Sequence, residues 1–166
     1  MLEHDLELTE SEMHLYSRQI LLDGWDIEAQ EKLKLANVLI VGCGGIGCTT
    51  AELLARAGVG KISLIDADTV EISNLQRQIA YVAQDVGFYK SEILAKRLQT
   101  INPFIQVESY TSKLDENNAQ ALIAQQDLVL DGCDNFTTRY LVNHICTQLH
   151  IPLISASAIG FQGQLF

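Results

Sequence analysis

A chain of 166 residues, 48% of them hydrophobic, is about one domain's worth and can bury a real core, which argues against disorder. With 21 acidic against 11 basic residues, a net charge of −10 opposes any extended grip on nucleic acid or an anionic membrane, so a basic residue in a site must act locally. No run of about 18 uninterrupted apolar residues occurs, and the amino terminus, Met-Leu-Glu-His-Asp-Leu-Glu, is acidic rather than a basic signal region; the chain reads as cytoplasmic.

In chain order, Thr9-Glu10-Ser11-Glu12 has the composition of a helix start and leads into a helix over Met13–Ile20, with a further short helix over Ile27–Leu35. Residues 1–35 are thus expected to form a helical arm. From residue 36 onward, short apolar runs alternate with amphipathic stretches, the signature of a parallel sheet crossed by helices. Strands are predicted at Asn37–Val41, Lys61–Ile65, Gln106–Tyr110, Leu128–Asp131 and Leu153–Ser157. Between them fall helices over Ile46–Ala57, stopped by Gly58 and Gly60, and over Phe88–Ile101, stopped by Asn102-Pro103. Two more cover Asp115–Gln125 and Asn135–Leu149, the latter with Pro152 just beyond its end. The expected fold of residues 36–166 is α/β, a Rossmann-like doubly wound and mostly parallel sheet. The last residues, Gly160–Phe166, read as a turn and the beginning of another strand, and their apolar end predicts a surface covered by further sequence or another subunit.

The segment most informative for chemistry is Val38-Leu-Ile-Val-Gly42-Cys-Gly44-Gly45-Ile-Gly47, an apolar strand feeding a glycine-rich turn at a helix start. Glycines there let the backbone approach a phosphate, and the unpaired N–H groups and dipole of the helix attract the anion. A tight turn without a ligand is the bland alternative. Asp66, about 20 residues beyond the last glycine and at the end of the second strand, is the expected partner of ribose hydroxyls. On those two features alone the ligand would be NAD.

The residues after Asp66 argue against NAD. Ser73-Asn74-Leu-Gln-Arg77-Gln78 places an amide and a guanidinium directly after the ribose-binding strand end, where a planar cation can reach phosphate oxygens. Lys90, on the front turn of the next helix, can approach the same phosphates as a point charge, or else be an ordinary solvated lysine. Asp131-Gly-Cys-Asp134-Asn135 closes the fourth strand with carboxylates at its carboxyl end, the side on which open α/β sheets bind ligands. A carboxylate at that place can hold Mg²⁺ against phosphate oxygens, while Asp134-Asn135 also suits the cap of the following helix. The four cysteines, Cys43, Cys48, Cys133 and Cys146, form no C-x-x-C pair and read as buried thiols, and the four histidines are scattered.

Taken together, Arg18-Gln-Ile-Leu-Leu, Gly42-Cys-Gly-Gly-Ile-Gly47, Asp66-Ala-Asp68, Ser73–Gln78, Lys90 and Asp131–Asn135 resemble the MoeB/ThiF/HesA group, relatives of the ubiquitin-activating enzymes. The resemblance runs from about Leu15 to Gln164. It implies ATP-dependent adenylation, with Mg²⁺, of the C-terminal glycine of a ubiquitin-like sulfur carrier for molybdopterin or thiamin synthesis. Carried over by position, Gly42, Gly44, Gly45 and Gly47 pack against the nucleotide and Asp66 binds its ribose. Asn74, Arg77 and Lys90 contact phosphates, Asp134 binds Mg²⁺ with Asn135 beside it, and Arg18 reaches the ATP site of the other subunit of a homodimer. The catalytic set so implied is Arg77, Lys90, Asp134 and Arg18. The family's carrier clasp, its zinc-binding C-x-x-C pairs and any catalytic cysteine belong to segments beyond the part matched here. A truncated or degenerate module that binds ATP or dimerises without turnover, and an NAD-binding dehydrogenase domain, are the competing expectations.

Overall fold

The computed structural model describes residues 7–166; His4 and the acidic stretch up to Leu6 lie outside them. The core element is β1 (Asn37–Val41), whose Val38, Leu39, Ile40 and Val41 are all essentially without exposure. A strand covered on both faces has no use for polar alternation, which is why this run is continuously apolar. Beside it lie β2 (Lys61–Ile65), β3 (Gln106–Tyr110), β4 (Leu128–Asp131) and β5 (Leu153–Ile159), all parallel, with an antiparallel β6 (Gln162–Leu165) at one edge. The order across the sheet is β3-β2-β1-β4-β5-β6. The first four strands coincide with those predicted.

Among the described residues, seven helices accompany the strands: α1 (Glu10–Leu15), α2 (Ser17–Ile20), α3 (Ile27–Leu35), α4 (Gly45–Ala57), α5 (Lys90–Ile101), α6 (Ala119–Ile123) and α7 (Phe136–Leu149). Val38 and Ile40 of β1 face α4 and α5, packing with Ile62, Leu64, Ala51, Leu94 and Leu98. Leu39 and Val41 face the other way, toward Ile123, Val142 and Ile145 of α6 and α7. Helices that follow β1 and β2 therefore cover one face and those that lead into and out of β4 the other. The connections diverge between β1 and β4, which opens a crevice at the carboxyl ends of those two strands.

Several boundaries differ from the sequence expectation, each for a local reason. The helix predicted over Met13–Ile20 starts earlier, at a capping box in which Thr9 and Glu12 exchange bonds, and is broken at Tyr16. Tyr16 is only 3% exposed, with its hydroxyl accepting from Asn102 Nδ2 at 2.7 Å, so burial of this ring overrides helix continuity. Phe88 and Tyr89 fall outside α5 because Tyr89 is extended and bridges to Thr69. Asp115–Asn118 forms a side-chain-bonded turn in place of the first turn predicted for α6. β5 runs past Ser157 to Ile159 because β6 pairs back onto it through a hairpin at Gly160, where φ is +60°.

The arm formed by α1–α3 docks on the carboxyl end of α4. Gln30, fully buried, and Gln19 both donate to Ala57 O, and Asn102 donates to Ala55 O. These amides satisfy the terminal carbonyls that a helix cannot pair internally. Among the described residues no helix is long and apolar enough to cross a membrane.

Candidate functional site

The crevice between β1 and β4 is a cleft of about 1320 Å³. Its floor is the turn after β1. Gly42 sits there at φ +89°, a conformation that side chains resist, and donates its N–H to Ile65 O at 2.9 Å. Gly47 lies one helical turn further on, and a Cβ placed there would stand 1.8 Å from Gly42 O. This glycine lets α4 press against the strand end; it packs beneath the turn and does not line the cleft. Gly44 and Gly45 do line it, and a Cβ on either would meet nothing nearer than 3.7 Å. Among the described residues no side chain caps the amino end of α4, so its first N–H groups face the cleft uncapped.

Asp66 closes one wall. Its Oδ2 accepts Cys43 N–H at 2.7 Å and its Oδ1 accepts Asp68 N–H at 2.7 Å, tying the end of β2 to the glycine turn and leaving further lone pairs on each oxygen. Burial raises the Asp66 pKa above the ordinary value, and this outweighs the two backbone N–H groups and the nearby Lys90, which act the other way. The Tyr81 hydroxyl donates to Cys43 O at 2.7 Å beneath the turn; burial pushes its own pKa far up, so it remains a neutral donor.

Lys90 is the first residue of α5, and its side chain is 8% exposed with Nζ 3.2 Å from Asp68 Oδ2. A buried ammonium paired with an exposed carboxylate at the cleft edge can exchange that partner for a phosphate. Arg77 is exposed on the cleft wall, with one guanidinium nitrogen donating to Ser73 O at 3.0 Å and the remainder of the fork free of partners among the described residues. Asn74 is buried, and its Oδ1 accepts Glu71 N–H at 3.1 Å, holding the 3-10 turn over Ile72–Asn74; only its nitrogen is left for a ligand.

Across the cleft, Asp134 is exposed and Asn135 caps α7, its Oδ1 accepting Thr138 N–H at 2.9 Å. The loop that carries them is fixed from below by Asp131. This buried carboxylate accepts from Cys133 N–H at 3.0 Å, Arg139 Nε at 3.0 Å and Ser155 Oγ at 2.7 Å, while Arg139 also donates to Cys133 O at 2.8 Å. Burial pushes the Cys133 thiol up to about 12, aided by the Asp131 carboxylate.

One cleft thus brings together Gly42, Gly44, Gly45, Asp66, Asn74, Arg77, Lys90, Asp134 and Asn135. Arg18 is not among them. It is exposed on α2, whose neighbouring Gln19 touches the carboxyl end of α4, whereas the glycine turn is at the other end of that 13-residue helix, about 20 Å away at 1.5 Å per residue. Three features were missed in the sequence: the Asp131–Arg139–Ser155 network, the Tyr81 strut, and the Ser112–Asp115 wall beyond β3. An acid at the end of an apolar central strand required a partner, which was the available signal for the first. Nothing local marked the other two. Among the described residues no group of three or more His, Cys, Asp or Glu is placed to hold a metal by itself.

A family model described as the ThiF family matches residues 16–166. The chain is 46% identical over 159 residues to the molybdopterin-synthase adenylyltransferase of Escherichia coli (strain K12), which covers 96% of this chain and 64% of that protein. It is 43% identical over 157 residues to the sulfur carrier protein adenylyltransferase of Thermus thermophilus, covering 95% of this chain and 58% of that protein. Among solved structures, E. coli tRNA N6-threonylcarbamoyladenosine dehydratase in complex with ATP superposes with a TM-score of 0.86 at 30% identity, over 93% of this chain and 63% of that one. The chain therefore spans between 58% and 64% of the length of these three proteins.

Proposed function

The chain belongs to the ThiF family, and from that premise we propose that it is the nucleotide-binding part of an adenylyltransferase. It joins the AMP portion of ATP to the C-terminal glycine carboxylate of a ubiquitin-like sulfur carrier that serves molybdopterin or thiamin synthesis. Residues 36–166 form the nucleotide-binding unit and residues 1–35 an arm. The protein acts in the cytoplasm as a homodimer. The names of the two adenylyltransferases compared above support the class of substrate. The observation that carries the reading is the cleft itself, which adds a buried lysine, an exposed guanidinium and an exposed carboxylate to the glycine turn and ribose-binding acid. Hydride transfer has no need of that set.

A carboxylate oxygen of the carrier attacks the α-phosphorus, a phosphorus–oxygen bond forms, and the bond to the leaving pyrophosphate breaks. Both reactants are anionic, so positioning and cationic stabilisation dominate and no protein nucleophile is required. Asp66 accepts the ribose hydroxyls, the N–H groups at the start of α4 and the Asn74 nitrogen hold phosphate, and Arg77 and Lys90 meet the charge that builds on the leaving group. Asp134, exposed on the far wall of the cleft, offers a carboxylate, which fits Mg²⁺: that ion commonly takes one or two carboxylates and completes its shell with phosphate oxygens and water. When bound with the nucleotide, it neutralises phosphate charge. Arg18, too far from the cleft of its own chain, serves the site of the second subunit.

Carrier-dependent exchange of labelled pyrophosphate into ATP tests the reading. The protein is expected to catalyse it with its cognate carrier, and Asp134→Ala and Arg77→Ala to abolish it. Tight ATP binding without exchange for any candidate carrier would select a non-catalytic module, and binding of NADH but not ATP a dinucleotide domain.

A further inference from the structure

Gln78 closes the Ser73–Gln78 run, yet the adenylation chemistry as proposed makes no use of it. Its side chain lies at the cleft and is buried, with the residue only 3% exposed. Such burial normally demands hydrogen bonds for both ends of an amide. Here Oε1 is fully enclosed without a partner, while Nε2 is the end that faces the glycine turn. Turning the amide over would only exchange which of the two atoms is enclosed. The backbone fixes the residue firmly, since Gln78 N–H donates to Asn74 O at 3.0 Å and Gln78 O accepts from Tyr81 N–H at 3.2 Å. The side chain is held in place with its polar end unspent.

The amide points at the glycine turn. Nε2 stands 3.7 Å from the position a Cβ on Gly44 would take, and Gly44 is the residue that precedes the uncapped first turn of α4. Two separate features therefore converge on one spot: N–H groups that lack a cap, and a buried side-chain amide that lacks a partner. An anion seated on the turn would accept from those N–H groups and from Nε2.

Asp66 decides which anion. Its Oδ2 is bonded to Cys43 N–H, inside the turn, so a ribose whose hydroxyls meet this carboxylate lies beside the turn, and in α/β nucleotide-binding folds the phosphate joined to that ribose sits at the helix start. The phosphate next to the ribose is then the one that meets Gln78. Arg77, exposed on the outer wall, and Lys90, paired with Asp68 at the edge of the cleft, are placed for the phosphates further out.

We propose that Gln78 is a phosphate-binding residue, its amide donating to the α-phosphate of the bound nucleotide. This rests on the adenylation reading and sharpens it. The α-phosphate is the group attacked, and it stays with the nucleoside after pyrophosphate leaves. Gln78 accordingly grips substrate and adenylate product alike, whereas contacts to the outer phosphates are lost on reaction.

The test compares binding of adenosine, AMP and Mg·ATP to the purified chain by titration calorimetry, for the native protein, Gln78→Leu and Gln78→Glu. Leu keeps the bulk and apolar packing of the site, and Glu keeps the shape but brings a negative charge to the phosphate. Loss of one charge-assisted hydrogen bond should weaken AMP and ATP equally by about tenfold in Gln78→Leu, and by more in Gln78→Glu. Adenosine affinity should stay within about twofold of native in both, which also verifies the fold. Unchanged AMP affinity in both variants would overturn the assignment, as would an equal loss for adenosine and AMP. A native chain that binds adenosine nucleotides not at all would instead refute the adenylation reading, and this proposal with it.

Discussion

Alanine at two glycines of the same turn should have opposite consequences. At Gly47 the new Cβ would stand 1.8 Å from Gly42 O and 2.9 Å from Gly42 C, where ordinary contacts begin near 3.4 Å. Relief requires α4 to withdraw by about an ångström or more. Gly42 cannot yield in its place, because its N–H is bonded to Ile65 O and its own Cβ position is 3.2 Å from the backbone of Cys133. Overpacking against rigid backbone costs about 3 kcal/mol, offset by up to about 1 kcal/mol from the better helix propensity of alanine. The net loss of about 2 kcal/mol should lower the melting temperature by roughly 4–8 °C in a chain of this size. At Gly45 the nearest atom is Arg77 O at 3.7 Å, so Gly45→Ala should fold with stability within about 0.5 kcal/mol of native, yet crowd the phosphate and weaken AMP binding. Urea unfolding and AMP titration of both variants read the two effects. Native stability in Gly47→Ala, or native AMP affinity in Gly45→Ala, would refute the division of labour drawn within the turn.

The Asp131–Arg139 pair should couple strongly: each of Asp131→Asn and Arg139→Met should cost about 2–3 kcal/mol in urea unfolding, toward the low end for a buried pair because Arg139 keeps 19% of its side chain exposed. In a double-mutant cycle the losses should be non-additive by about 1 kcal/mol or more; additivity within about 0.5 kcal/mol would show that the pair acts as two independent groups. Because burial raises the Asp66 pKa, its contribution to stability is greatest at low pH and is lost as pH rises through the raised value, while ribose binding needs the ionised form. Adenosine affinity should therefore decline on acidification at a pH above the ordinary 3.8, and Asp66→Asn should bind weakly at every pH; a flat profile in the native protein would exclude Asp66 from the ribose site. Burial holds the thiols of Cys43, Cys133 and Cys146 above their ordinary range, to about 12 for Cys133 and about 11 for Cys146, so reaction with a disulfide reagent at pH 8 should follow the rate of unfolding. Rapid modification of the folded chain would contradict that.

The limits of β1, β2 and β4 were legible because each is a largely apolar run that stops at a charge or turn residue, whereas β3 is mostly exposed and the far end of β5 depends on its pairing with β6. Helix ends were less so, since they depend on side chains meeting residues far away in sequence. Tyr16 breaks its helix to reach Asn102, and Tyr89 leaves α5 to bridge Thr69. The same distinction applies to the cleft. Residues that act through local spacing, such as the glycines, Asp66 and the Asn135 cap, could be read directly. Asp131 with Arg139 and Ser155, or Tyr81 with Cys43, are pairs that only the folded sheet brings together, and no period or motif announces them.

Charge explains why the cleft of one chain is an incomplete setting for ATP. Among the described residues its walls carry three cations, Arg77, Lys90 and Lys113, against five carboxylates, Asp66, Asp68, Glu71, Asp115 and Asp134. Lys90 is already committed to Asp68, and the chain as a whole, cleft included, carries a net charge of −10. A nucleoside triphosphate approaching this surface meets repulsion that Arg77 and Lys113 cannot offset at the distances over which surface charges act. Positive charge has to arrive from outside the chain. Asp134, exposed at the cleft, is where a divalent ion carried by the nucleotide can be received. Arg18, exposed about 20 Å from its own glycine turn, is a cation available to a second copy. The proposed Mg²⁺ and the proposed dimer thus answer the same electrostatic deficit, and a chain deprived of either should hold adenosine better than it holds ATP.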